Sequence, residues 1–228
     1  MSQQPSKQRH LITVTNPRSP VSEAFRALRT NIDFSSVDEQ IQIIMVTSSG
    51  PEEGKSTVTA NLAAAYAQAD KKVLLIDGDL RKPTAHKTFS LSNRVGLSSL
   101  LSQQADLEDV VQESGVANLS IMTSGPIPPN PAEMMASNRM SAVLQELRQR
   151  YDMILFDTPP LLAVTDAQIV ASKSDGVIMV VSYGKVKRDI AAKAKANLDR
   201  VGAKMLGVVL NNVKRKASEG YYYYYYGN

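Results

Sequence analysis

The sequence contains no cysteine and no tryptophan, and only 4 phenylalanines. Without cysteine, neither a disulfide nor a thiolate metal site can form. No run of about 18 apolar residues occurs, so no membrane-spanning helix is expected. The opening residues, Met1 to Arg9, are polar and lack the apolar centre of a secretory signal. Charge of one sign is scarce too. With 26 Lys and Arg against 22 Asp and Glu, the net charge is +4. So mild a bias tolerates an acidic partner or a membrane surface and gives no ground for a nucleic-acid partner. Apart from the terminal tyrosines, nothing repeats internally. These absences fit a cytoplasmic protein, and 228 residues suffice for one well-buried domain of the larger kind.

What is present is an alternation of apolar runs and helical stretches. Strands are expected at Ile41–Thr47, Val73–Ile76, Leu119–Met122, Met153–Phe156, Val177–Val181 and Met205–Leu210. Helices are expected at Val58–Gln68, Ser137–Arg150, Ala167–Ser172 and Asp189–Val201, the last burying Ile190, Ala194, Leu198 and Val201. An earlier amphipathic helix, Val21 to Phe34, carries a narrow stripe of Val21, Phe25, Leu28 and Ile32, with Ser19 or Ser22 to cap it. Continuous apolar strands alternating with helices predict an α/β fold, a mostly parallel sheet covered on both faces. Its ligand belongs at the carboxyl ends of the strands. The stretch Gly125 to Pro131, with four prolines, is expected to be non-helical. After Lys214 the apolar pattern stops, so residues 1–214 are expected to form one domain and 215–228 a mobile tail.

Three segments carry chemistry. The first is Ser48-Ser49-Gly50-Pro51-Glu52-Glu53-Gly54-Lys55-Ser56-Thr57, set between the first strand and an Ala-rich helix. Strand, glycine loop and helix in that order form a phosphate-binding loop, in which backbone N–H groups and a helix N-terminus face one anion. Ser49 to Thr57 would cradle a nucleotide. Lys55 would bridge its β- and γ-phosphates, and the Ser56 hydroxyl would bind Mg²⁺. Ser49 stands where the usual pattern has its first glycine, a small-residue variant. The second segment delivers Asp77 and Asp79, one residue apart, at the end of a strand, followed by Arg81. Carboxylates there can hold Mg²⁺ through water or accept a proton, and Arg81 can touch a phosphate or fix a carboxylate. The third is Asp157-Thr158-Pro159-Pro160, an acidic strand end suited to orienting the Mg²⁺ shell, with prolines forcing a turn that could move with the γ-phosphate. Asn211 closes the last strand, where its amide could pair with adenine N6 and N7 and so favour ATP, with Asn212 and Lys214 as alternatives.

Together the three segments resemble the Walker A, A′ and B motifs of the bacterial tyrosine kinases, in their stand-alone form. These kinases are part of a wider deviant-Walker class that includes the division-site and plasmid-partition ATPases. The signature lysine of those relatives is missing here, its place taken by Gly50. The resemblance runs from about Val21 to the tail. It implies a P-loop three-layer α/β/α fold that transfers the γ-phosphoryl of ATP to tyrosine with Mg²⁺. Lys55, Asp77, Asp79 and Asp157 are the implied catalytic residues; Ser56, Asp77 and Asp157 are the implied metal site. Asp79, or alternatively Asp77, would receive the incoming hydroxyl.

Glu23, Arg26 and Arg29 match the family's E-x-x-R-x-x-R oligomerisation motif and fall on one side of a helix, away from the apolar stripe. In the family that helix packs against the next subunit of a ring, typically an octamer. The six consecutive tyrosines Tyr221, Tyr222, Tyr223, Tyr224, Tyr225 and Tyr226 match the family's cluster of phosphoacceptors, modified by a neighbouring subunit. The resemblance further implies a membrane protein that activates the kinase and holds it at the membrane, a tyrosine phosphatase, and control of capsular or exopolysaccharide synthesis and export. Two rival readings are a partition-type ATPase switch and a nucleotide-bound scaffold with an adhesive aromatic tail.

Overall fold

The computed structural model describes residues 11–35 and 40–213. Two helices open it, α1 (Ile12–Thr15) and α2 (Pro20–Asp33). β1 (Ile43–Ser48), α3 (Lys55–Ala67) and β2 (Val73–Asp77) follow, then three short helices, α4 (Ala85–Phe89), α5 (Leu97–Leu101) and α6 (Leu107–Val110). Next come β3 (Val111–Glu113), β4 (Leu119–Met122), α7 (Pro131–Ala136), α8 (Asn138–Arg150) and β5 (Met153–Asp157). The described chain closes with α9 (Asp166–Ala171), β6 (Gly176–Ser182), α10 (Arg188–Arg200) and β7 (Met205–Asn211).

The strands form one seven-stranded sheet in the order β3-β4-β2-β5-β1-β6-β7. Every pairing is parallel except β3 with β4. Because side chains alternate across a strand, each apolar run supplies two cores. Ile43 and Met45 join Leu74, Ile76, Ile154 and Phe156 on one face, against α5 to α10. Ile44 and Val46 join Val73, Leu75, Leu155 and Val180 on the other, against α2, α3 and α4. The predicted α/β sheet is what the chain forms.

Several local readings change. β1 begins at Ile43 rather than Ile41, and at its start the N–H groups of Gln42 and Ile43 donate to the Asp175 carboxylate (2.9 and 2.7 Å). Arg148 lies 2.5 Å from the same carboxylate. Burial pushes the Asp175 carboxyl up, and its bonds to Arg148 and to the two N–H groups more than offset this, leaving it below the ordinary range. Pro131 is the first residue of α7, a position that asks for no N–H donor, so the proline-rich stretch is non-helical only as far as Asn130. On α2, Val21 is 50% exposed and drops out of the apolar stripe. Ser22 is buried in that turn, its hydroxyl donating to Ile12 O (3.0 Å) and Asn16 O (2.7 Å). Ser19 is the cap, accepting the Ser22 N–H at 3.1 Å. Among the described residues no helix is long and apolar enough to cross a membrane.

Candidate active site

Parallel strands bring their carboxyl ends to one edge. There β1 ends at Ser48, β2 at Asp77, β5 at Asp157, β6 at Ser182 and β7 at Asn211. From Ser48 the chain turns directly into α3, which starts at Lys55 and not at Val58, so the loop is itself the helix N-terminus. The first intrahelical bond runs from Val58 N–H to Gly54 O (2.9 Å). The N–H groups of Lys55, Ser56 and Thr57 therefore have no carbonyl one turn back, the condition that makes a helix start an anion site. Gly54 holds φ of +93°, and a Cβ there would lie 2.0 Å from the Asn211 amide nitrogen. Both facts require glycine. Ser49 fits in place of the first glycine because its hydroxyl, buried, donates to Glu53 at 2.5 Å. Pro51 and Glu52 are exposed at the loop tip.

Lys55 Nζ lies 3.4 Å from Asp79 Oδ2, 3.4 Å from Asp157 Oδ1 and 3.3 Å from the Ser56 hydroxyl. Both carboxylates are nearly buried. Burial pushes the Asp157 carboxyl above its ordinary value, and Lys55 with the Ser56 hydroxyl opposes that shift. Asp77 is different. Its Oδ2 accepts the N–H groups of Thr84 and Ala85, each at 2.8 Å, and its Oδ1 accepts Asp79 N–H at 3.3 Å. Burial, with the charge of Asp157 adding to it, pushes this carboxyl up to about 7. Asp79 holds Lys82 N–H at 3.0 Å, so the loop from Gly78 to Thr84 is wrapped around its own two aspartates. A cleft of ≈ 260 Å³ opens beside the loop, lined by Glu52, Gly54, Lys55, Ser56, Asp79 and Lys82. The turn after Asp157 is tied back to β1 by Thr47 Oγ1 to Pro159 O (3.0 Å) and Thr158 Oγ1 to Val46 O (3.1 Å).

Not every expected site residue joins this cluster. Arg81, expected at a phosphate or a carboxylate, takes the second course. Its Nε and Nη2 donate to the Asp166 carboxylate at 2.8 and 3.1 Å, and the Asp166 side chain is 1% exposed. Asp166 escaped the sequence reading, because an aspartate opening a helix has an ordinary role there. Asn211 does reach the loop, but its Nδ2 donates to Glu53 O (2.9 Å), so the amide donor expected for adenine holds the loop backbone. Asn212 Nδ2 donates to Ser182 Oγ (3.0 Å). Lys214 and Tyr221 to Tyr226 lie outside the described residues, as do Met1 to Arg9.

On α2, Arg26 lies 2.7 Å from Glu23 and also donates to Pro17 O (2.6 Å). Arg29 does not stand on a purely solvated face, for its Nη1 donates to Ala65 O at the end of α3 (2.8 Å).

Oxygen donors at this edge suit Mg²⁺, which is held by one or two carboxylates together with substrate phosphates more often than in an all-protein cage. Among the described residues no group of three or more His, Cys, Asp or Glu is arranged to hold a metal ion by itself.

Comparison with known proteins adds an independent line. A family described as AAA domain matches residues 41–191. The tyrosine-protein kinase YwqD of Bacillus subtilis (strain 168) is 51% identical over 207 residues, covering 91% of this chain and 87% of that one. The putative tyrosine-protein kinase CapB of Staphylococcus aureus is 42% identical over 205 residues, covering 90% of each. Among solved structures, that of the chimerical protein CapA2B2 superposes with a TM-score of 0.88 at 44% identity, again over 90% of both chains.

Proposed function

This chain belongs to the bacterial tyrosine-protein kinases, and we propose on that premise that it moves the γ-phosphoryl group of ATP onto tyrosine hydroxyls, those of Tyr221 to Tyr226 on a neighbouring copy among them. The observation that carries the reading is Lys55 Nζ set 3.4 Å from each of Asp79 and Asp157 at the mouth of a glycine loop. Such an arrangement places a cation suited to phosphate, carboxylate oxygen suited to a metal and a proton acceptor within one side-chain length.

The loop N–H groups from Gly54 to Thr57 receive the phosphates, and Lys55 leaves its carboxylate partners to reach the outer ones. Ser56 would hold Mg²⁺ directly, with Asp157 and Asp77 acting through its waters, and the ion would neutralise charge on the phosphates. Asp79 accepts the phenolic proton as the tyrosine oxygen bonds to the γ-phosphorus and the bond to the β–γ bridging oxygen breaks, releasing ADP. A phenol with a pKa near ~10 is a weak nucleophile at neutral pH, so the site acts mainly through position and charge. Asp79 suits the acceptor role because its carboxylate borders the cleft. Asp77, with its oxygens on the N–H groups of Thr84, Ala85 and Asp79, braces the Asp79 loop from behind. Arg81 braces it from the side, through Asp166.

On the same reading, residues 1–214 are one kinase domain and 215–228 an acceptor tail. Glu23, Arg26 and Arg29 contribute to a ring of copies, an octamer before phosphorylation. Each phosphate adds about −1.5 to −2 charges at pH 7, so a labelled tail repels its neighbours and loosens that ring. A membrane protein supplies a cytoplasmic segment that activates the site and holds the kinase at the membrane, a phosphatase resets it, and the cycle governs capsular or exopolysaccharide export.

The test is incubation with Mg-ATP, with and without a peptide copying the cytoplasmic end of a candidate activator, followed by mass spectrometry. Phosphate on Tyr221 to Tyr226, absent in Lys55→Met, is the expected result. Release of inorganic phosphate without labelled tyrosine would favour a partition-type switch, and neither product a scaffold.

A further inference from the structure

We propose that Glu53, inside the phosphate loop, is a positioning residue for the nucleotide. Its carboxylate fastens the loop entry to the end of β6, while its backbone carbonyl, gripped from β7, aims the Gly54 N–H. The inference rests on the loop being the ATP site.

A glutamate in an anion-binding loop is unexpected, since its charge opposes the ligand. Here it is turned under the loop and buried, 4% exposed. One oxygen, Oε1, accepts the Ser49 hydroxyl at 2.5 Å and the Gly50 N–H. The other, Oε2, accepts the Ser182 N–H at 3.3 Å. Three donors thus converge on one acceptor-only group, so its charge is directed at the scaffold and away from the cleft. Ser182 is the last residue of β6, is 1% exposed, and receives Asn212 from the end of β7 through its hydroxyl. The carboxylate therefore ties the loop to a stiff part of the sheet.

The second link is through the backbone. Asn211 Nδ2 holds Glu53 O at 2.9 Å. In a trans peptide the carbonyl and the following N–H point in opposite directions. Gripping Glu53 O thus turns the Gly54 N–H away from Asn211, toward the cleft that Gly54 lines. With both links made, the cradle is shaped before the nucleotide arrives. Without them, binding must order the loop, and affinity falls.

Two variants separate the links. In Glu53→Gln the amide oxygen can still serve Ser49 and Gly50, but an NH₂ faces the Ser182 N–H. In Glu53→Ala all three donors lose their acceptor. The probes are a fluorescent ADP analogue for affinity and steady-state tyrosine phosphorylation for kinetics. Dissociation constants are expected to rise in the order wild type, Gln, Ala, with Ala weaker by about tenfold or more, as loss of a charged hydrogen-bond acceptor implies. KM for ATP should rise by a larger factor than kcat falls. A purely structural role would lower the unfolding midpoint and kcat together and leave KM in place, which would overturn the proposal. Glu53→Ala binding the analogue within about twofold of wild type would overturn it too. If Glu53→Ala does not fold, Glu53→Gln decides, an unchanged KM counting against the proposal. A wild-type protein that binds no analogue would overturn the ATP reading itself, a failure distinguishable because it precedes any substitution.

Discussion

Asp77 and Asp157 stand opposite each other in register on neighbouring strands β2 and β5, yet only Asp157 is met by Lys55. The parallel pairing delivers two buried carboxylates to the same point, and a single ammonium group compensates one of them directly. Backbone N–H groups hold the other. This asymmetry sets a carboxylate paired with an ammonium against one held by backbone N–H groups, and it has a measurable pH consequence.

Burial and the charge of Asp157 push the Asp77 carboxyl up to about 7, against an ordinary 3.8 in the unfolded chain. Between those values the native state keeps a proton that the unfolded state has lost. The stability tied to that proton is therefore full at low pH, declines as pH rises through the window, and is gone above about 7. Asp77→Asn, which carries no charge at any pH, should melt near wild type at pH 4 and increasingly above it toward pH 8, without nucleotide. Thermal melts across that range check this, and a gain that shrinks toward pH 8 would contradict it.

Arg81 pairs with an Asp166 side chain that is 1% exposed, so removing the guanidinium strands a buried charge. Arg81→Ala should destabilise the fold by roughly 1–3 kcal/mol, the cost of a buried polar group left without its partner. Arg81→Lys should recover part of that, because an ammonium keeps the charge without the two-pronged geometry. Urea unfolding of the three proteins measures the order. Equal midpoints for Ala and wild type would show that the pair contributes nothing.

A methyl group at Gly54 meets two obstacles, the φ of +93° and the Asn211 amide nitrogen 2.0 Å away. Gly54→Ala should weaken nucleotide binding by about tenfold or more, through backbone strain and displacement of Asn211. Gly54→Ala with Asn211→Gly should recover only part of the loss, since the steric contact goes while the strain and the lost hold on Glu53 O stay. Affinity for a fluorescent ADP analogue provides the comparison.

Much of the fold was legible because its signals are local. Each central strand is an unbroken apolar run, and β4 appears with the bounds expected, Leu119–Met122. Short elements were not legible. The helices α4, α5 and α6 have only 5, 5 and 4 residues, too few for a 3.6-residue period to show. β3 has 3 residues and pairs antiparallel with β4, a partnership no local pattern announces. In the site, Lys55, Ser56, Asp79 and Asp157 were nameable from motif position. The engagements of Arg81 with Asp166 and of Asn211 with Glu53 were not.

The sequence alone determined the phosphate loop. Strand, turn and helix are consecutive there, and Gly54, Lys55 and Ser56 act through backbone conformation and a helix start, both set within a few residues. It also determined that acidic residues would end β2 and β5. Only the tertiary structure decided what those acids meet. Lys55 and Asp157 are 102 positions apart, Arg81 and Asp166 85, and the Glu53 carboxylate and the Ser182 N–H 129. Such contacts depend on strand order and register, which follow from how two apolar faces of one sheet are buried together.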